Sequence, residues 1–86
     1  MHETGNGMVT IYTYANCESC RHAISFAKFR NIKHEVVQLD SQQKVDALHK
    51  RIGIRNIFTP LIVDENNKVI GHLKEFKAWN GYNINK

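Results

Sequence analysis

Apolar and β-branched residues first cluster between Met8 and Tyr14 (MVTIYTY), a short run whose residue types suit a buried pleated surface, so it predicts a strand. From Glu18 to Arg30 the period changes. Ala23, Ile24 and Ala27 share one face, Phe26 and Phe29 widen it, and no Gly or Pro interrupts it, which predicts a helix. His34 to Leu39 predicts a second strand. Asp40 and Ser41 are cap-type residues. They open a second helix with Val45, Leu48 and Ile52 at i, i+3 and i+7, and Gly53 suits the position just past its end. Ile54 to Thr59 reads as a connector, Pro60 to Val63 as a third strand, and Asp64 to Lys68 as a turn. Val69 and Ile70 begin a fourth strand. His72 to Trp79, with Leu73, Phe76 and Trp79 three apart, predicts a last helix. Strand–helix–strand connections of this length call for parallel strands and a right-handed crossover, whereas the tight turn makes the last two strands antiparallel. The expected architecture is α/β, a mixed four-stranded sheet flanked by helices in the order β-α-β-α-β-β-α. It occupies residues 8–79, after a polar, Gly/Asn-rich leader at 1–7 and before an Asn-rich tail at 80–86.

Length and composition narrow the functions open to such a fold. Eighty-six residues make one small domain. Leu, Ile, Val and Phe form about 27% of the chain, above the roughly 20% below which disorder is expected. No apolar run approaches the ~18 residues of a membrane span, so no membrane association is expected. The net charge of +4 comes from scattered basic residues without a run of like charge, which predicts no nucleic-acid partner.

The only cysteines are Cys17 and Cys20. A disulfide across so short a loop restrains little chain entropy, so the pair reads as chemistry rather than as a staple. With no secretory signal in the leader, the expected setting is the reducing cytosol. A vicinal dithiol there is catalytic, redox-sensing or metal-binding. Cys17 falls where the first strand meets the first helix. Free N–H groups and the positive end of the helix dipole favour a thiolate there, and Cys20 lies one turn inside. By position Cys17 is the nucleophile and Cys20 the resolving thiol of a thiol–disulfide exchange. Glu18 opposes the helix end by raising the sulfur's pKa, and Arg21 and His22 can offset it. The alternative is a metal-binding or interaction module without turnover, with Cys17, Cys20 and His22 joined by His34 or His2. Zinc modules, however, normally show a second paired ligand set, and this chain has none. No bound metal or cofactor is expected. His34, His49 and His72 read as surface residues. Arg51 and Arg55, flanking the end of the second helix, could receive an acidic group but more often are solvated. Tyr12 could shape the rim of the site or belong to the core.

Together these residues resemble the glutaredoxins of the thioredoxin superfamily. Val9-Thr10-Ile11-Tyr12-Thr13 followed by Cys17-Glu18-Ser19-Cys20 is similar to the family's first strand and its Cys-x-x-Cys helix start. Thr59-Pro60, holding the only proline, is similar to the family's Thr-Val-Pro with its cis proline. The resemblance implies a thioredoxin-like fold and reduction of protein disulfides. It also implies that a cis Thr59–Pro60 bond turns the Thr59 backbone toward the dithiol to pair with an extended substrate. Thr59, Pro60, Tyr14 and Ser19 are the implied substrate-binding residues. Three departures fall on positions that serve glutathione in the family. Tyr14 replaces a Lys, Glu18-Ser19 replace Pro-Tyr, and Gly71-His72-Leu73-Lys74 replace Gly-Gly with its acidic residue. Trp79-Asn80-Gly81-Tyr82 is similar to the Trp-Ser-Gly-Phe of the NrdH-redoxins, which thioredoxin reductase reduces and which supply electrons to ribonucleotide reductase. That match would make residues 64–78 an insertion; otherwise 72–79 is the final helix, the placement favoured here. The implied partners are disulfide-containing proteins, ribonucleotide reductase among them, with glutathione or thioredoxin reductase as reductant. A monomer is expected.

Overall fold

The computed structural model describes residues 8–53 and 57–79. The elements are β1 (Val9–Thr13), α1 (Glu18–Phe29), β2 (His34–Gln38), α2 (Gln42–Ile52), β3 (Leu61–Val63), β4 (Val69–Gly71) and α3 (Leu73–Lys77). This is the expected order, in a four-stranded sheet arranged β2-β1-β3-β4. β1 runs parallel to β2 with Val9 opposite His34, and antiparallel to β3 with Ile11 opposite Ile62. β3 and β4 are antiparallel. The arrangement is thioredoxin-like.

Alternation along β1 divides the core. Val9 and Ile11 join Ala23, Ala27, Ile32, Ile62 and Phe76 beneath α1 and α3. Tyr12 joins Leu39, Leu48, Leu61 and Val63 on the α2 side. Small residues at 23 and 27 let α1 lie close to the sheet. α2 is capped by the Ser41 hydroxyl, which accepts the Lys44 N–H at 3.3 Å. It stops at Gly53, whose φ of 75° is in the left-handed region that glycine enters without a Cβ penalty.

Several expectations change. Phe29 does not widen the core face; it is 81% exposed. At 100° per residue it points about 140° away from the direction shared by Ala23 and Ala27, while Phe26 is close enough to pack edge-on against Phe76. Arg51 is half-buried, and its guanidinium is engaged within the fold rather than held out for an anion. Its guanidinium donates to the Tyr12 hydroxyl (2.7 Å), Thr10 Oγ1 (3.4 Å), the Asp64 carbonyl (3.2 Å) and the Asn67 side chain, tying α2 to β1 and the β3–β4 turn. Tyr12 is therefore a core residue rather than part of a rim. The turn is built by Asp64, whose carboxylate accepts the N–H groups of Asn66 and Lys68, with Asn67 at φ 65°. A last helix does follow β4 directly, as α3, but it is shorter than 72–79. Arg55, His2, the leader at 1–7 and the tail at 80–86 lie outside the described residues.

Candidate active site

β1 ends at Thr13, and Asn16 takes a positive φ of 59° that turns the chain into α1. Cys17 is the N-cap of that helix, with extended backbone, and its sulfur accepts the Cys20 N–H at 3.2 Å. Serine, threonine or aspartate usually fills this place; here a sulfur does so, half-exposed at the first turn of α1, where helix N–H groups lack the preceding turn's carbonyls. Cys20, one turn later, is only 2% exposed. The two are joined as a disulfide with Cα atoms 5.2 Å apart. The structure therefore holds the oxidised form of a redox-capable pair with one sulfur toward solvent and the other behind it.

Across from the sulfurs, the connector into β3 carries a cis Thr59–Pro60 peptide. The Thr59 hydroxyl lies 3.6 Å from Cys17 Sγ. A disulfide sulfur has no proton, so the hydroxyl is the donor. The Pro60 carbonyl accepts from Nδ1 of His72 at 2.9 Å. His72 is the N-cap of α3, and its backbone N–H is held by the Glu75 carboxylate at 3.0 Å. The exposed ring of Phe58 stands edge-on to His72, with centroids 6.3 Å apart. Cys17, Thr59, Pro60 and His72 thus form a continuous chain of contacts from the first helix to the last.

His72 and Phe58 are the site-adjacent residues that sequence reasoning missed. His72 read as a surface residue, yet it is half-buried against the proline. A signal was present in His72-x-x-Glu75, a polar residue followed at N3 by a glutamate, which is a helix-start pattern. Gly71, before it, has φ 133°, and a Cβ there would lie 2.6 Å from Glu75 Cβ.

Tyr14 is exposed at the mouth of a cleft of about 320 Å³ that runs from Cys17 along α1 to β2. Ser19 is exposed on the first turn of α1. Glu18 faces His22 at 3.8 Å on the solvent side of the same turn. His34 donates Nδ1 to the Ile32 carbonyl at 2.8 Å, and among the described residues no three of His, Cys, Asp and Glu gather as metal ligands. No helix among the described residues is long and apolar enough to cross a membrane.

No protein-family model matches the chain. No curated protein matches it either. Solved structures do. It superposes on glutaredoxin 1 from Francisella tularensis, crystallised with cacodylate, with a TM-score of 0.65 at 23% identity, covering 83% of this chain and 88% of the other. It superposes on a buckwheat glutaredoxin–glutathione complex with a TM-score of 0.60 at 16% identity, covering 83% and 66%. The fold is therefore that of the glutaredoxins, and the disulfide stands at the start of its first helix.

Proposed function

We propose that this chain is a small thiol–disulfide oxidoreductase that reduces disulfides in proteins. The observation that carries the reading is the asymmetry of the pair, with Cys17 half-exposed as the cap of α1 and Cys20 buried one turn behind it. In the reduced protein the Cys17 thiolate attacks a substrate disulfide. One S–S bond forms, one breaks, and the departing thiolate takes up a proton. Cys20 then loses its proton and attacks the Cys17 sulfur, closing the internal disulfide and releasing the second substrate thiol. Two electrons and two protons pass to the substrate. The helix N–H groups and the Thr59 hydroxyl hold developing negative charge on Cys17. The Thr59 backbone pairs with an extended substrate segment, with Pro60 shaping that edge and Tyr14 and Ser19 forming the rim.

The internal disulfide is reset by an external thiol reductant, either two molecules of glutathione or the dithiol of a thioredoxin-reductase-type flavoenzyme. Tyr14, Glu18-Ser19 and His72-Leu73-Lys74, standing where the family serves glutathione, favour the flavoenzyme. Ribonucleotide reductase is added as an acceptor on the sequence likeness of Trp79-Asn80-Gly81-Tyr82 to the NrdH-redoxin signature alone, since β4 and α3 occupy the stretch which that match would make an insertion. A monomer in a reducing compartment such as the cytoplasm fits a carrier that meets several partners.

The test is insulin reduction run twice, once with glutathione and glutathione reductase, once with thioredoxin reductase. Wild type turns over, faster in the second arm, and Cys17→Ser does not. Equal rates for wild type and Cys17→Ser would end the enzymatic reading.

A further inference from the structure

The cleft beside the disulfide lies between α1 and β2, on a different wall of the site from the Thr59–Pro60 edge. Its lining includes Tyr14, Cys17, Arg21, Ile24, Val36 and Gln38. β2 is an edge of the sheet. The Val9 N–H donates to the Lys33 carbonyl at 3.0 Å and the Leu39 N–H to the Thr13 carbonyl at 2.8 Å. In a parallel ladder with Val9 opposite His34, alternate residues turn their backbone groups to the same neighbour. The backbone groups of Glu35 and Val37 therefore face β1 like those of Lys33 and Leu39, and those of His34, Val36 and Gln38 face outward. An outward row of N–H and C=O groups is a template for another strand. Val36, the middle residue of this row, is 43% exposed although apolar. Arg21, on the facing helix, has no side-chain partner among the described residues.

Resting on the oxidoreductase reading, we infer that β2 and this cleft form a second docking edge for the protein substrate. An extended segment pairs with Val36 and Gln38, sets an apolar side chain on Ile24 and Val36, and places an acidic side chain on Arg21. A polypeptide fits better than glutathione. Glutathione brings two carboxylates and an ammonium, whereas the lining offers one cation and no carboxylate. A substrate cysteine in such a segment is carried along the cleft to Cys17, which lines its other end. Substrate choice is then set on both sides of the attacking sulfur.

Two disulfide-linked peptides, identical except for Asp or Lys beside the cysteine, test the charge. Wild type prefers the Asp peptide by about fivefold in kcat/KM, and Arg21→Glu reverses the order. Any effect of Arg21 on sulfur reactivity multiplies both substrates alike, so the ratio reads the cleft. Val36→Pro removes an outward N–H without touching the β1 ladder. It lowers the ratio of peptide to hydroxyethyl disulfide turnover severalfold, and Val36→Lys serves if the proline variant does not fold. In a Cys20→Ser protein trapped as a mixed disulfide with the Asp peptide, amide exchange slows at Val36 and Gln38. Ratios unchanged in the variants, no slowing at those amides, or an Arg21-dependent preference for glutathione disulfide would each overturn the docking edge while leaving the oxidoreductase reading intact. A wild type that reduces neither peptide nor hydroxyethyl disulfide would overturn both.

Discussion

The hydroxyl of Thr59 donates to the sulfur of Cys17 at 3.6 Å, joining residues 42 apart in the chain. When Cys17 is a thiolate the same donor faces a full negative charge, and hydrogen bonds to charged groups are the stronger kind. Thr59→Val keeps the shape and removes the donor. Reduced Thr59→Val protein is expected to react with iodoacetamide about three- to fivefold more slowly at mildly acidic pH. Loss of thiolate population outweighs the gain in intrinsic nucleophilicity there, because the latter grows only weakly with basicity. An unchanged alkylation rate would remove Thr59 from the sulfur's environment.

Glu75 links pH to the start of α3. Its carboxyl lies below the ordinary 4.5, chiefly because the carboxylate accepts the His72 N–H, then through its own backbone N–H, with further help from the charges of His72 and Lys74. A depressed folded-state pKa contributes stability that is present above the ordinary carboxylate value and lost as pH falls through the folded one. The stability gap between wild type and Glu75→Gln, read as the shift in urea midpoint, is therefore open at neutral pH and narrows below about pH 4.5. A gap of constant size down to strongly acid pH would show that the charge of Glu75 has no part in the cap.

Arg51 should matter for stability and not for turnover. Arg51→Met retains the stem but leaves the Tyr12 hydroxyl and the Asp64 carbonyl without their partner. A loss of about 1–3 kcal/mol is expected. Each kcal/mol lowers the melting temperature of a domain this size by roughly 4–8 °C. An unchanged melting curve would mean that water replaces the guanidinium at no cost.

Two phenylalanines separate helix phase from hydrophobicity. Phe76 is fully buried against Phe26 and Trp79. Phe76→Ala is expected to cost about 3–5 kcal/mol, enough to unfold much of so small a domain. Phe29→Ser, on the solvent side of α1, should stay within about 0.5 kcal/mol. Circular dichroism with denaturant distinguishes them, and similar losses in the two variants would contradict the packing described.

Local pattern carried the element order because each element announces itself within a few residues: β-branched runs for β1 and β3, Ser41 and Gly53 at the ends of α2, Asn67 in the turn. The position of Cys17 was legible for the same reason, since a strand end and a helix start bracket it. The cis Thr59–Pro60 bond was legible only through family resemblance, as nothing local distinguishes it from an ordinary proline opening a strand. Contacts set by distant chain could not be read. Arg51 meets Tyr12 across 39 residues, and His72 meets Pro60 across a hairpin. Nor does the pattern of β2 say that it ends the sheet, because strand order is a property of the whole fold. Phe29 misled because a large apolar residue close in sequence to Phe26 invites a place in the core, although its phase, nearly opposite Ala23 and Ala27, puts it on the solvent side.

The burial of Cys20 has a kinetic consequence. Under the proposed oxidoreductase reading, a single sulfur within reach of other molecules makes donor and acceptor take turns at the same atom, each leaving before the next arrives. Double-reciprocal plots at varied reductant should then run parallel, the mark of a shuttle that carries its two electrons away from one visitor before it greets another.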